Sequence, residues 1–147
     1  MNNVSFSQML GRLLRAEGRT RAGWTVEVFG WVILIEGAFI LLHPHGVASL
    51  LRLPVLVEQA ANYLRLVGLL TGGLGMLYVV SGRLNAEGFI FASLLDRPLV
   101  PPVMAVLWSC GIIPGPLALA FALQDFFSFL WTLVVWRREA RAGKSSS

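Results

Sequence analysis

The sequence predicts an all-α protein: a four-helix transmembrane bundle with an N-terminal amphipathic interfacial helix. Three observations predict it. First, 56% of the 147 residues are hydrophobic and only 14% are charged, against about 25% charged in an ordinary soluble domain. Second, four apolar runs, at about 24–43, 61–81, 98–113 and 116–136, follow one another with short connections, and about 20 residues of helix cross the apolar core of a bilayer. Third, basic residues gather at the two chain ends, where they set topology and meet anionic lipid. No polar linker divides the apolar blocks, so residues 1–147 read as a single integral membrane domain.

Ahead of the first run, Phe6, Met9, Leu10, Leu13 and Leu14 recur at helical spacing, and Arg12, Arg15 and Arg19 fall largely off that stripe. This is the pattern of a short helix lying on a membrane surface. Glu17, Gly18 and Gly23 mark its end. The first span begins near Trp24, behind this basic leader, and is too long for a signal-peptide core, so it reads as a retained span. Trp24 suits an interface anchor, and Glu27 is close enough to the cytoplasmic end to reach headgroups. Pro44 stops the helix. Within 45–59, Val47, Leu50, Leu51 and Leu53 predict a second interfacial helix ending at Pro54.

In the second span Arg65, Gly68, Gly72, Gly75 and Val79 share one helical face. Gly68 and Gly72 form a small-xxx-small pair that lets another backbone approach, so that face is expected to be interior. Residues 81–96 read as a mixed connection at the cytoplasmic interface, broken by Asp96-Arg97-Pro98. The third span is expected to start within 98–102, since proline is tolerated in a first helical turn. The same prolines could instead kink a longer helix that starts at Phe89. Pro114-Gly115-Pro116 is a tight turn that makes the third and fourth spans antiparallel neighbours. The fourth span presents Ala118, Ala122, Asp125, Phe129 and Thr132 on one face, with Ser128 beside it. The serines at 145–147 are expected to form a disordered tail.

The net charge of +4 does not point to nucleic acid, because the cations sit at the chain ends. Four arginines (12, 15, 19 and 21) precede the first span, Arg83 and Arg97 lie in the 82–98 connection, and Arg137, Arg138, Arg141 and Lys144 follow the last span. The other connections hold only Arg52. Both termini are therefore expected in the cytoplasm, with the chain in the inner (plasma) membrane. The single cysteine, Cys110, cannot form an intramolecular disulfide and reads as a small core residue.

Three charges interrupt the apolar runs: Glu36, Arg65 and Asp125. Each costs roughly 2.5–3.5 kcal/mol at the centre of a membrane helix, so they are expected to face one another inside the bundle. At 1.5 Å per residue they fall roughly 10, 6 and 13 Å below the outer ends of their spans, all in the outer half. His43 lies seven residues after Glu36 on the same face, and Tyr63 and Gln124 are polar groups at comparable depth. Two readings stay open. One is a structural ion-pair network that fixes helix packing. The other is a pocket in which a carboxylate exchanges protons while Arg65 holds an anionic or carbonyl group. His43-Pro44-His45 lacks the further ligands a zinc site needs, so no metal is expected. No phosphate loop, Ser/His/Asp set or CxxC is present, and no cofactor is expected.

Arg65-Leu66-Val67-Gly68 opening the second span, its Gly-rich continuation and Asp125 in the last span resemble the small four-span bacterial membrane proteins of the DoxX-like type. The resemblance covers roughly residues 61–136. It implies an accessory membrane component of a redox or stress system, and it carries over no catalytic residue. Glu36-Gly37 also resembles a first-span position of small multidrug transporters, but the rest of that pattern is missing.

The expected function is therefore an accessory or assembly role in a redox- or lipid-related membrane system. Its partners would be the lipid bilayer and either another membrane protein or a second copy of the chain. The alternatives are a membrane-embedded enzyme working by acid–base chemistry at Glu36 and Asp125 on an isoprenoid or quinone, and a small proton-coupled carrier.

Overall fold

The computed structural model describes residues 5–16 and 18–144, without the side chains at 143 and 144. Glu17 as a helix-end signal, the Lys144 side chain and the expected disordered tail at 145–147 lie outside the described residues. The described residues form helices α1 (Phe6–Arg15), α2 (Arg21–Leu42), α3 (Pro44–Leu50) and α4 (Glu58–Arg83). After these come α5 (Glu87–Asp96), a 3-10 turn (Arg97–Leu99), α6 (Val100–Ser109) and α7 (Gly115–Lys144). No strand occurs among them. Four helical segments are long and apolar enough to cross a membrane: Arg21–Leu42, Glu58–Arg83, Glu87–Ser109 and Gly115–Ala142. The chain is thus an all-α multi-pass membrane protein built on a four-helix bundle.

The third span departs from the expected 98–113. Its helical path starts at Glu87 and runs through the prolines, the longer of the two alternatives. Pro98 falls in the 3-10 turn, and Pro101 and Pro102 fall in the first turn of α6, so the ring that breaks the α-helical ladder only reshapes it here. Cys110 caps α6 and is exposed rather than in the core, because α6 packs on α7 without burying any of its own residues.

Hydrogen bonds tie the ends of the spans together. Thr20 caps α2, its hydroxyl accepting from Gly23 N at 3.0 Å. Glu139 of α7 accepts from the next free amides, Arg21 N at 2.7 Å and Ala22 N at 3.2 Å, where a carboxylate also suits the positive end of a helix. Asn85, left-handed with φ 52° just after α4, accepts from the Thr20 hydroxyl at 2.6 Å. The start of α2 and the ends of α4 and α7 therefore share one end of the bundle, the terminal end. Arg52 lies at the opposite end.

Helices α2 and α4 run antiparallel along a seam of glycines. On α2 these are Gly23, Gly30 and Gly37, and on α4 they are Gly68, Gly75 and Gly82, every seventh residue in each case. A methyl group built on Gly30 would stand 2.6 Å from Val79 N and 2.9 Å from Gly75 O. One built on Gly68 would stand 2.6 Å from Leu41 N. Backbone packs directly on backbone, and the seven-residue period keeps the seam in register along the pair. Gly72 lies on the seam, its Cα 2.6 Å from where a methyl on Gly37 would stand, but a methyl on Gly72 itself would meet only Gly37 Cα, at 4.0 Å. Val79 shares the buried face as expected.

The core lies towards the terminal end. Ala22, Val26, Phe29 and Ile33 of α2, Tyr78 of α4 and Ile90 of α5 form it, with Phe89, also of α5, and Val135 of α7 packed against them. There all four spans meet. Farther out, α6 packs on α7, and α4 stays on α2 and α3. Ala118 and Ala122 line the groove between α6 and α7 with Ala105 and Trp108. The apolar side chains of α1, among them Phe6, Leu10 and Leu14, are exposed, as expected of a helix that lies on lipid.

Candidate functional site

Three polar centres are built into the bundle. The first is at the terminal end. Glu27 is only 4% exposed, so it does not reach out to headgroups as its position near the span end suggests. The reason is that two arginines come to it. Arg83 Nε, from the last turn of α4, donates to Glu27 Oε1 at 2.7 Å, and Arg19 Nη1, from the segment before α2, pairs with Oε2. Arg83 also reaches Leu13 O in α1 at 3.5 Å. The carboxylate thus ties the amphipathic helix to the α2–α4 pair.

Breaking such a pair from one side leaves uncompensated charge in a partly dry site. Because Arg19 and Arg83 are 29% and 31% exposed, solvent screens part of that loss. Glu27→Gln is therefore expected to cost about 2 kcal/mol, and Arg19→Met less, since Arg83 remains. Reversible unfolding in detergent measures both.

The second centre is Arg97, which opens the 3-10 turn and has 0% exposure. Its guanidinium lies over the Phe29 ring, 4.0 Å from the centroid, and 5.1 Å from the Tyr78 centroid. These contacts suit a cation in a dry site. Nη1 donates to Thr132 Oγ1 at 3.1 Å, and the Thr25 hydroxyl bonds Thr132 Oγ1 at 3.0 Å and Ala22 O at 2.8 Å. Nε and Nη2 have no hydrogen-bond partner among the described residues. Asp125, one turn-pair before Thr132 on the same face of α7, is within electrostatic reach of Arg97.

Sequence reasoning missed this residue because Asp96-Arg97-Pro98 reads as an interfacial break. The available signal was the apolar run 89–95 just before it, which makes one long span with 98–109. Side chains on a helix point back towards its N-terminus, so Arg97 points from mid-span to the terminal end, where Tyr78, Phe29 and Thr132 wait.

The third centre joins Glu36 of α2 to Gln124 of α7. Gln124 Nε2 donates to Glu36 Oε2 at 2.9 Å. Asp125 also feels the charge of Glu36. Of the expected cluster, the structure thus brings Glu36, Gln124 and Asp125 to one region. It does not bring Arg65, Tyr63 or His43.

Arg65 donates to Asn62 Oδ1 at 2.7 Å and forms no ion pair with either carboxylate among the described residues. The cause is again direction. The N-terminus of α4 lies at the Arg52 end, so the long Arg65 side chain runs outward and snorkels along its own helix. Tyr63 is exposed and accepts from Gln59 Nε2 at 2.9 Å. His43 is exposed at the junction of α2 and α3, 5.5 Å from the Phe39 ring. No group of three His, Cys, Asp or Glu side chains that could hold a metal ion occurs among the described residues.

Comparison with protein families, with curated proteins and with solved structures gives no match for this chain.

Proposed function

We propose that this multi-pass membrane protein is an accessory or assembly component of a redox- or lipid-related system in the inner (plasma) membrane, with both termini in the cytoplasm. It works beside another membrane protein or a second copy of itself. The observation that carries this reading is that the fold itself engages the buried charges. Glu27 holds two arginines. Arg97 lies against Phe29 and donates to Thr132. Arg65, which an acid–base site at Glu36 and Asp125 needs as its anion holder, is bonded to Asn62 instead. The DoxX-like features of the second and fourth spans point the same way. The clustering of Arg12, Arg15, Arg19, Arg21, Arg83, Arg137 and Arg138 at the terminal end, against Arg52 at the other, supports the orientation.

Gentle detergent extraction and complementation test the role. The expected result is a stoichiometric membrane partner or a homo-oligomer, with cellular function retained in folded Glu36→Gln and Asp125→Asn variants. Loss of function without loss of fold would overturn the accessory role in favour of the acid–base enzyme. Transport that depends on the proton gradient would favour the carrier. Orientation is tested by labelling an Arg52→Cys variant on a Cys110→Ser background. Labelling from the outside is expected, and labelling only from the cytoplasm reverses the topology.

A further inference from the structure

Towards the Arg52 end, α2, α3 and α7 enclose a pocket of about 170 Å³. Phe39 and Ile40 of α2, Val47 of α3, and Ala120 and Phe121 of α7 form most of its wall. Glu36 and Gln124 are the polar residues that line it. An apolar wall with few, convergent polar groups is the usual make-up of a small-molecule site. The size is also informative, because a dry cavity of about 150 Å³ holds one benzene ring.

The polar pair specifies what enters. Gln124 Nε2 donates to Glu36 Oε2 and so fixes the carboxyl group. Glu36 Oε1 and the Gln124 carbonyl oxygen have no partner among the described residues. Both can accept, so an occupant that satisfies them must donate a hydrogen bond. An ammonium group would have to shed its hydration to enter from lipid, whereas a hydroxyl crosses the apolar layer at far lower cost. The aromatic rings of Phe39 and Phe121 favour a flat, apolar body. We propose that this pocket binds the ring of a lipid-soluble phenol, its hydroxyl donating to Glu36 Oε1. This goes beyond the accessory role. Ring binding and partner recruitment are measured separately, and either can fail alone.

The test uses the full chain in lipid nanodiscs and fluorine NMR of two probes, 4-fluorophenol and 4-fluoroanisole. In the ether a methyl group replaces the hydroxyl hydrogen, so only the phenol can donate, and the comparison needs no variant protein. The phenol is expected to bind saturably and about tenfold more tightly than the ether. Ala120→Phe fills the pocket and is expected to abolish saturable binding. Glu36→Met with Gln124→Met removes both polar groups without stranding either, and is expected to bring the phenol down to the affinity of the ether. Ala105→Phe, in the groove between α6 and α7, is expected to change nothing. Equal affinity for the two probes overturns the proposal. So does phenol binding that survives Ala120→Phe, or the absence of saturable binding in the unaltered protein.

Discussion

Gly30→Ala is expected to lower the unfolding free energy by about 3 kcal/mol, the upper end of what overpacking a core costs, and Gly30→Leu to leave no folded protein. The added methyl would stand 2.6 Å from Val79 N and 2.9 Å from Gly75 O. Both neighbours are backbone, so no rotamer change relieves the collision; the two helices must separate. In lipid that separation is not offset by hydrophobic burial, because helix association there rests on close packing. Gly68→Ala is expected to behave alike, against Leu41 N at 2.6 Å. Gly73→Ala meets nothing within 4 Å and is expected to be neutral or to gain up to about 1 kcal/mol from helix propensity. Gly72→Ala should fall close to Gly73→Ala. Equal losses at positions 30 and 73 would show that the seam does not hold the pair together.

Much of this architecture is legible in the sequence, and the exceptions have physical causes. Apolar run length gives the spans, because crossing a bilayer demands it. The interior face of α4 follows from Gly68 and Gly75, which are buried. The partner face does not follow from a search for pairs four apart on one helix. It shows only when Gly23, Gly30 and Gly37 are set against Gly68, Gly75 and Gly82, since an antiparallel pair repeats every seven residues. The start of the third span was ambiguous because proline both opens and kinks helices, and only tertiary packing chooses between the two.

Arg97→Met is expected to cost about 3 kcal/mol, as for a buried charge removed from one side. The flexible methionine fills much of the space between Phe29 and Tyr78, but it cannot donate to Thr132 and removes a positive charge that acts on Asp125. Loss of the two orphan donors, Nε and Nη2, works in the opposite direction. The lost cation–π contacts, the lost bond to Thr132 and the lost charge near Asp125 outweigh it. Adding Asp125→Asn is therefore expected to recover at least half of the loss. A single variant as stable as the parent would mean that the cation–π contacts and the carboxylate contribute little.

The candidate site was legible in depth but not in direction. Depth along a helix places Glu36, Gln124 and Asp125 at one level, and the structure brings these three to one region. Depth alone also admits Arg65, whose side chain turns outward to Asn62. Asp96-Arg97-Pro98 reads as an interfacial break, yet among the described residues Arg97 is the fully buried cation.

Two double-mutant cycles on reversible unfolding in detergent test most directly whether Arg97, and not Arg65, is the cation of the buried centre. One pairs Arg97→Met with Asp125→Asn, and the other pairs Arg65→Met with Asp125→Asn. The expected coupling is about 1 kcal/mol or more for the first cycle, and for the second a value within the roughly 0.3–0.5 kcal/mol found for independent sites. Coupling confined to the Arg65 cycle, with none for Arg97, would contradict the account.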